Sequence, residues 1–125
     1  MKYIHTDNAP AAIGPYSQAV VVNGFVYCSG QIGLDPKAGV LVGGIEEQTK
    51  QALQNLKSVL MAADTDLEFV IKTTIFLKNM NDFTTVNDIY GKYFGGHKPA
   101  RATVEVSNLP KGALVEIEAV AITNV

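Results

Sequence analysis

The chain has 125 residues, with 12 Asp and Glu against 10 Lys and Arg, a formal net charge of −2 and a pI of about 5.6. That length fits a single domain over 1–125 with one core, and 47% hydrophobic against 18% charged residues excludes a disordered chain. The acidic balance argues against nucleic-acid binding, which draws its affinity from clustered basic side chains that neutralise phosphates.

A single cysteine, Cys28, excludes an intrachain disulfide and fits a reducing compartment. Met1–His5 lacks the apolar stretch of a secretory signal, and no run reaches the ~18 apolar residues of a membrane span. The expectation is a soluble protein of the cytoplasm or an organelle matrix.

In chain order, His5–Pro10 and Gly14-Pro15 read as a polar loop leading to Tyr16-Ser17-Gln18. Ala19–Val22 and Phe25–Gly30 flank Asn23-Gly24, a strong hairpin signal because both residues tolerate positive φ. Leu34–Gly39 reads as a surface turn, and Gly43-Gly44 precedes a helix. Ile45, Ala52, Leu53, Leu56, Val59, Leu60 and Ala63 form the apolar stripe of that helix, which should stop at Asp64-Thr65-Asp66. Phe69–Leu77 is rich in β-branched residues and reads as a strand. Asn81-Asp82 is expected to cap a second helix, with Phe83, Val86, Asn87, Tyr90 and Phe94 on one side and Gly95-Gly96 at its end. A strand through Arg101 and a last strand over Leu114–Ile122 complete the order β-β-α-β-α-β-β, an α+β fold. Two helices cover only one face of such a sheet, yet several strands are apolar on both. A second copy of the chain is the simplest cover for the other face.

Arg101 is the only arginine, against nine lysines. Its planar fork suits bidentate capture of a carboxylate or phosphate. Alternation places Arg101, Thr103 and Glu105 on one face of their strand, and Glu116 and Glu118 project together from the last strand. If the two strands are close, an arginine, a hydroxyl and a carboxylate share a pocket; the competing reading is a surface salt bridge of little worth. His5, His97 and Cys28 are isolated, with no metal-ligand spacing, no phosphate-binding glycine loop and no serine-nucleophile motif.

Ala9–Gln18, Ser29-Gly30-Gln31-Ile32, Val70–Leu77 with Asn81-Asp82-Phe83, Pro99–Val106, Leu109-Pro110 and Val115–Ala119 resemble, in order, the signatures of the Rid family of reactive-intermediate imine deaminases, also called the YjgF family. The resemblance implies a chorismate-mutase-like fold: a mixed sheet with two helices on one face, assembled as a homotrimer with sites in clefts between subunits. It implies hydrolysis of 2-iminobutanoate and 2-iminopropanoate, formed from enamines released by pyridoxal-phosphate-dependent dehydratases, to 2-oxo acids and ammonia. On this likeness Arg101 grips the substrate carboxylate and Glu116 holds the attacking water and shuttles its proton. The backbone around Gly30 and Thr103 orients the imine, while Tyr16 and Asn87 shape the pocket and Ser29 supports it. Such chemistry needs no metal and no organic cofactor. Many family members carry cysteine where this chain has Thr103, and Glu118 competes with Glu116 for the water-activating role. A non-catalytic 2-oxo acid-binding protein and an RNA-cleaving translation inhibitor, which the family's older names imply, are the alternatives.

Overall fold

The computed structural model describes residues 1–123. Eight main elements follow one another: β1 (Lys2–Ile4), β2 (Ala19–Val22), β3 (Phe25–Ile32), α1 (Ile45–Ala62), β4 (Val70–Leu77), α2 (Phe83–Phe94), β5 (Ala100–Glu105) and β6 (Val115–Ile122). The strands form one sheet in the order β1-β2-β3-β6-β4-β5. Only β4 and β5 pair in parallel, as their connection through α2 demands. Sequence periodicity anticipates every element except β1, whose three residues are too few to carry a pattern. It pairs antiparallel with β2, Lys2 opposite Val21 and Ile4 opposite Ala19.

The β2–β3 turn is made by Asn23 and Gly24 at φ 50° and 79°, the positive-φ pair of a two-residue hairpin. Asp82 occupies the N-cap position of α2 as expected but makes no side-chain capping bond. The side-chain bond lies one turn earlier, where Asn79 accepts the Asn81 amide at 2.9 Å at the head of a short turn over Met80–Asp82. Val86, Tyr90 and Phe94 are buried as expected, and Ile89 joins them. Phe83 stays 37% exposed and Asn87 half-buried, so both lie at the margin of the apolar stripe.

Both helices pack on one face of the sheet. Val26 and Cys28 of β3, Ile75 and Leu77 of β4, and Val115, Ile117, Ala119 and Ala121 of β6 are buried beneath Leu53, Leu56, Val59 and Leu60 of α1 and the apolar side of α2. The opposite face is bare: Tyr3, Phe25, Tyr27, Val104 and Ile122 are all exposed on it. The two-sided apolar strands therefore correspond to one covered and one open face.

Three buried amides stitch loops to this frame. Asn55 of α1 donates to the Ile32 and Leu34 carbonyls at 3.1 and 2.9 Å. Gln48 accepts the Leu114 amide at 2.9 Å, and Gln18 holds the Thr6 amide and the Thr6 and Pro10 carbonyls within 3.0 Å. A buried carbonyl that loses its donor keeps its desolvation penalty. Asn55→Ala should therefore lower unfolding stability by about 3 kcal/mol, read as a shift in the urea midpoint. The same change at exposed Gln54 should stay within about 0.5 kcal/mol.

Candidate active site

Strand register decides where the expected site residues lie. On β4, Thr73 stands opposite Arg101 of β5 on one side and Ala119 of β6 on the other. Thr73 is fully buried under α2, so Arg101 projects to the helix-covered face. Three residues on, Phe76 stands opposite Val104 and Glu116, which puts Glu116 on the bare face with Glu118. β5 and β6 are not neighbours; β4 separates them. Within one chain, then, Arg101 and Glu116 do not share a pocket, contrary to the expectation from alternation alone. The pleat sends them to opposite sides of the sheet.

Each instead lines its own cleft. Glu116, Gly30 and Tyr16 edge a cleft of about 330 Å³ whose apolar walls include Pro10, Ile13 and Pro110. A Cβ on Gly30 would lie 2.7 Å from both Cδ and Oε2 of Glu116, so the glycine is what lets the carboxyl lie flat against β3. Burial, with a smaller push from the like charge of Glu118, holds the Glu116 carboxyl above the usual glutamate range. Ser29 does not open into this cleft as a free hydroxyl. It donates to the Ser17 carbonyl at 2.5 Å, while its amide donates to the Gln18 carbonyl at 2.9 Å, fastening the loop that presents Tyr16.

Arg101 and Asn87 line a second cleft, of about 400 Å³, at the C-terminal half of α2. The Arg101 guanidinium carbon sits 5.0 Å from the ring centre of Tyr90 and 5.7 Å from that of Phe83. Among the described residues the ion pairs are His5–Asp7 and Lys57–Asp66, so Arg101 has no carboxylate partner among them. Among the described residues the salt-bridge reading of Arg101 therefore fails, and its guanidinium rests on an aromatic shelf. Thr103, two residues on and on the same face, has a buried hydroxyl with no hydrogen-bond partner.

The remaining candidates are structural. The Cys28 thiol is buried and pushed up to about 12. His97 donates from Nε2 to the Val70 carbonyl at 2.6 Å. Sequence reasoning missed Gln18 as the clamp on the Thr6–Pro10 segment and Tyr90 as more than a core residue. The one signal for Gln18 is a polar side chain entering a run of valines, and for Tyr90 a hydroxyl on an otherwise apolar stripe.

The mixed sheet, with its helices on one face, thus carries an acid and a cation in two separate clefts on opposite faces rather than in one. The comparisons place it: the chain belongs to the Rid family, and the family model described as Endoribonuclease L-PSP matches residues 6–123. It is 58% identical over 122 residues to the 2-iminobutanoate/2-iminopropanoate deaminase of Mus musculus, covering 97% of this chain and 90% of the relative. A RutC family protein of Pyrococcus horikoshii is 55% identical, with 94% of each chain covered. The crystal structure of a Rid family protein from Yersinia pestis superposes with a TM-score of 0.95 at 55% identity, over 98% of each chain. Among the described residues no helix is long and apolar enough to cross a membrane.

The two causes of the Glu116 shift are separable. Glu118→Gln should lower the Glu116 pKa by removing a like charge, yet leave it above an ordinary glutamate because burial is the larger cause. Carboxyl-carbon NMR titration checks this; an unchanged midpoint would put the whole shift on burial.

Proposed function

We propose that this chain is a hydrolytic deaminase of small 2-imino acids, chiefly 2-iminobutanoate and 2-iminopropanoate, acting in clefts completed by neighbouring copies. The observation that carries the reading is the placement of an unpaired arginine and a carboxyl of raised pKa on opposite faces of one sheet. Two such groups meet on one small substrate only if different chains supply them. The bare apolar face that bears Glu116 is the surface a second copy covers, and the family trimer is the assembly it fits.

In that cleft Arg101 of one chain binds the substrate carboxylate through two parallel N–H bonds, helped by Asn87 and the Thr103 backbone. Glu116 of the next chain takes a proton from water as its oxygen adds to the carbon of the protonated imine, giving a neutral carbinolamine. The carboxyl returns that proton to the nitrogen, and the C–N bond breaks as the carbinolamine hydroxyl passes its own proton to the freed carboxylate. Ammonia leaves a 2-oxo acid, taking that last proton away as ammonium. A carboxyl lifted above the usual range serves both directions of that transfer near neutral pH better than an ordinary glutamate. Tyr16 closes the cleft, and Gly30 keeps the carboxyl seated. The substrates suit an enzyme working downstream of pyridoxal-phosphate-dependent dehydratases, which release the parent enamines. His5 is bound to Asp7 and His97 to the backbone, which supports imine hydrolysis over RNA cleavage by paired histidines.

Freshly generated 2-iminobutanoate should be consumed faster with the protein than without it. Arg101→Ala should raise KM, and Glu116→Gln should cut turnover by about a hundredfold or more while retaining 2-oxobutanoate binding. Glu116→Gln with full turnover would leave only a binding protein. At substrate concentrations well below the KM of Arg101→Ala, oligomers refolded from an equal mixture of the two impaired variants should be more active than either alone, because about a quarter of their clefts unite both native groups. No recovery, or a native monomer by light scattering at micromolar concentration, would defeat the shared cleft.

The Thr103 hydroxyl has no partner to lose. Thr103→Cys is therefore expected to keep most of the activity, with kcat/KM within about threefold; near-total loss would mean that the side chain, not the backbone, contacts substrate.

A further inference from the structure

Arginine is a long side chain that loses considerable rotamer freedom when held, and among the described residues Arg101 has no carboxylate to hold it. What it has is a ring. Its guanidinium carbon lies 5.0 Å from the centre of Tyr90, closer than the 5.7 Å to Phe83. Tyr90 is itself immobilised at both ends. Its hydroxyl is 2.7 Å from Thr73 Oγ1, and its ring packs against Phe94 with centroids 4.5 Å apart. Thr73 is buried on β4 directly opposite Arg101, so ring and arginine are referred to adjacent positions of one strand pair. Burial raises the Tyr90 pKa, keeping the phenol neutral beside the cation.

Contact with a ring engages the face of a guanidinium and leaves its N–H edge free for a ligand. We propose that Tyr90 is a positioning residue for Arg101: clamped by Thr73, it fixes the plane in which the guanidinium presents its fork to the substrate carboxylate. This rests on the carboxylate-gripping role given to Arg101 above.

The test reads ligand binding apart from turnover, using 2-oxobutanoate followed by NMR titration. Tyr90→Leu should raise its Kd about tenfold, and Tyr90→Phe, which keeps the ring but frees it from Thr73, about threefold. Phe83→Ala removes the outer ring at a partly exposed site and should also cost about threefold in Kd. With imine as substrate, KM should rise in step while kcat stays within about twofold, the signature of uniform binding. In an Arg101→Gln background, Tyr90→Leu should add less than about twofold, since there is no fork left to orient.

An unchanged Kd in folded Tyr90→Leu, or an equal penalty in the Arg101→Gln background, overturns the proposal. If Tyr90→Leu does not fold, unchanged Kd values in both Tyr90→Phe and Phe83→Ala overturn it. A native protein that does not bind 2-oxobutanoate removes both this role and that of Arg101. The expected binding pattern without imine turnover removes the deaminase reading and leaves Tyr90 in place.

Discussion

The pleat of β4 is the constraint on which the rest depends. Thr73 and Phe76 are three residues apart, so they face opposite ways, and each aligns one residue of β5 and one of β6 on its own side. Through Thr73, Arg101 is committed to the helix layer; through Phe76, Glu116 is committed to the bare face. A one-residue slip of β5 against β4 would send the arginine to the other side. Such a slip would also turn Thr103, the other half-buried residue of β5, out of the helix-covered face and take the guanidinium off the Tyr90 ring.

This separation protects both groups. Opposite charges placed in one pocket of one chain would pair and satisfy each other, lowering the carboxyl's pKa and occupying the arginine's donors. Here the carboxyl is shaped by burial, a neighbouring acid and the absence of a side chain at Gly30, while the guanidinium rests against the Tyr90 and Phe83 rings. Each remains unspent until something else arrives. The loops around Glu116 are correspondingly rigid: Gln18, Ser29 and Asn55 use their polar atoms on backbone groups of the segments that build the cleft.

Much of this was legible in the residues. Asn23-Gly24 announced its hairpin, the stripe from Ile45 to Ala63 announced α1, and the apolar doubling of the strands announced a face left open. What could not be read was strand order. Local patterns do not say that β6 inserts between β3 and β4, and without that order the alternation of Arg101 and of Glu116 gives two directions with no common frame. Asp82 holds the N-cap position of α2 as read, but which side chain makes a capping bond was not legible, because Asn79, Asn81 and Asp82 are all good capping residues and only the turn over Met80–Asp82 gives the bond to Asn79. Tyr90 was legible as core and illegible as a shelf, since the residue that rests on it, Arg101, lies eleven residues further along on another element.

The burial of Cys28 carries a last consequence. Its side chain points into the helix-covered layer, and with a pKa pushed up to about 12 the thiol remains protonated at any physiological pH. Oxidants and disulfides react with thiolates that they can reach, and burial disfavours the thiolate here. The lone thiol thus behaves as a small apolar filler of the helix-covered layer rather than as a redox handle.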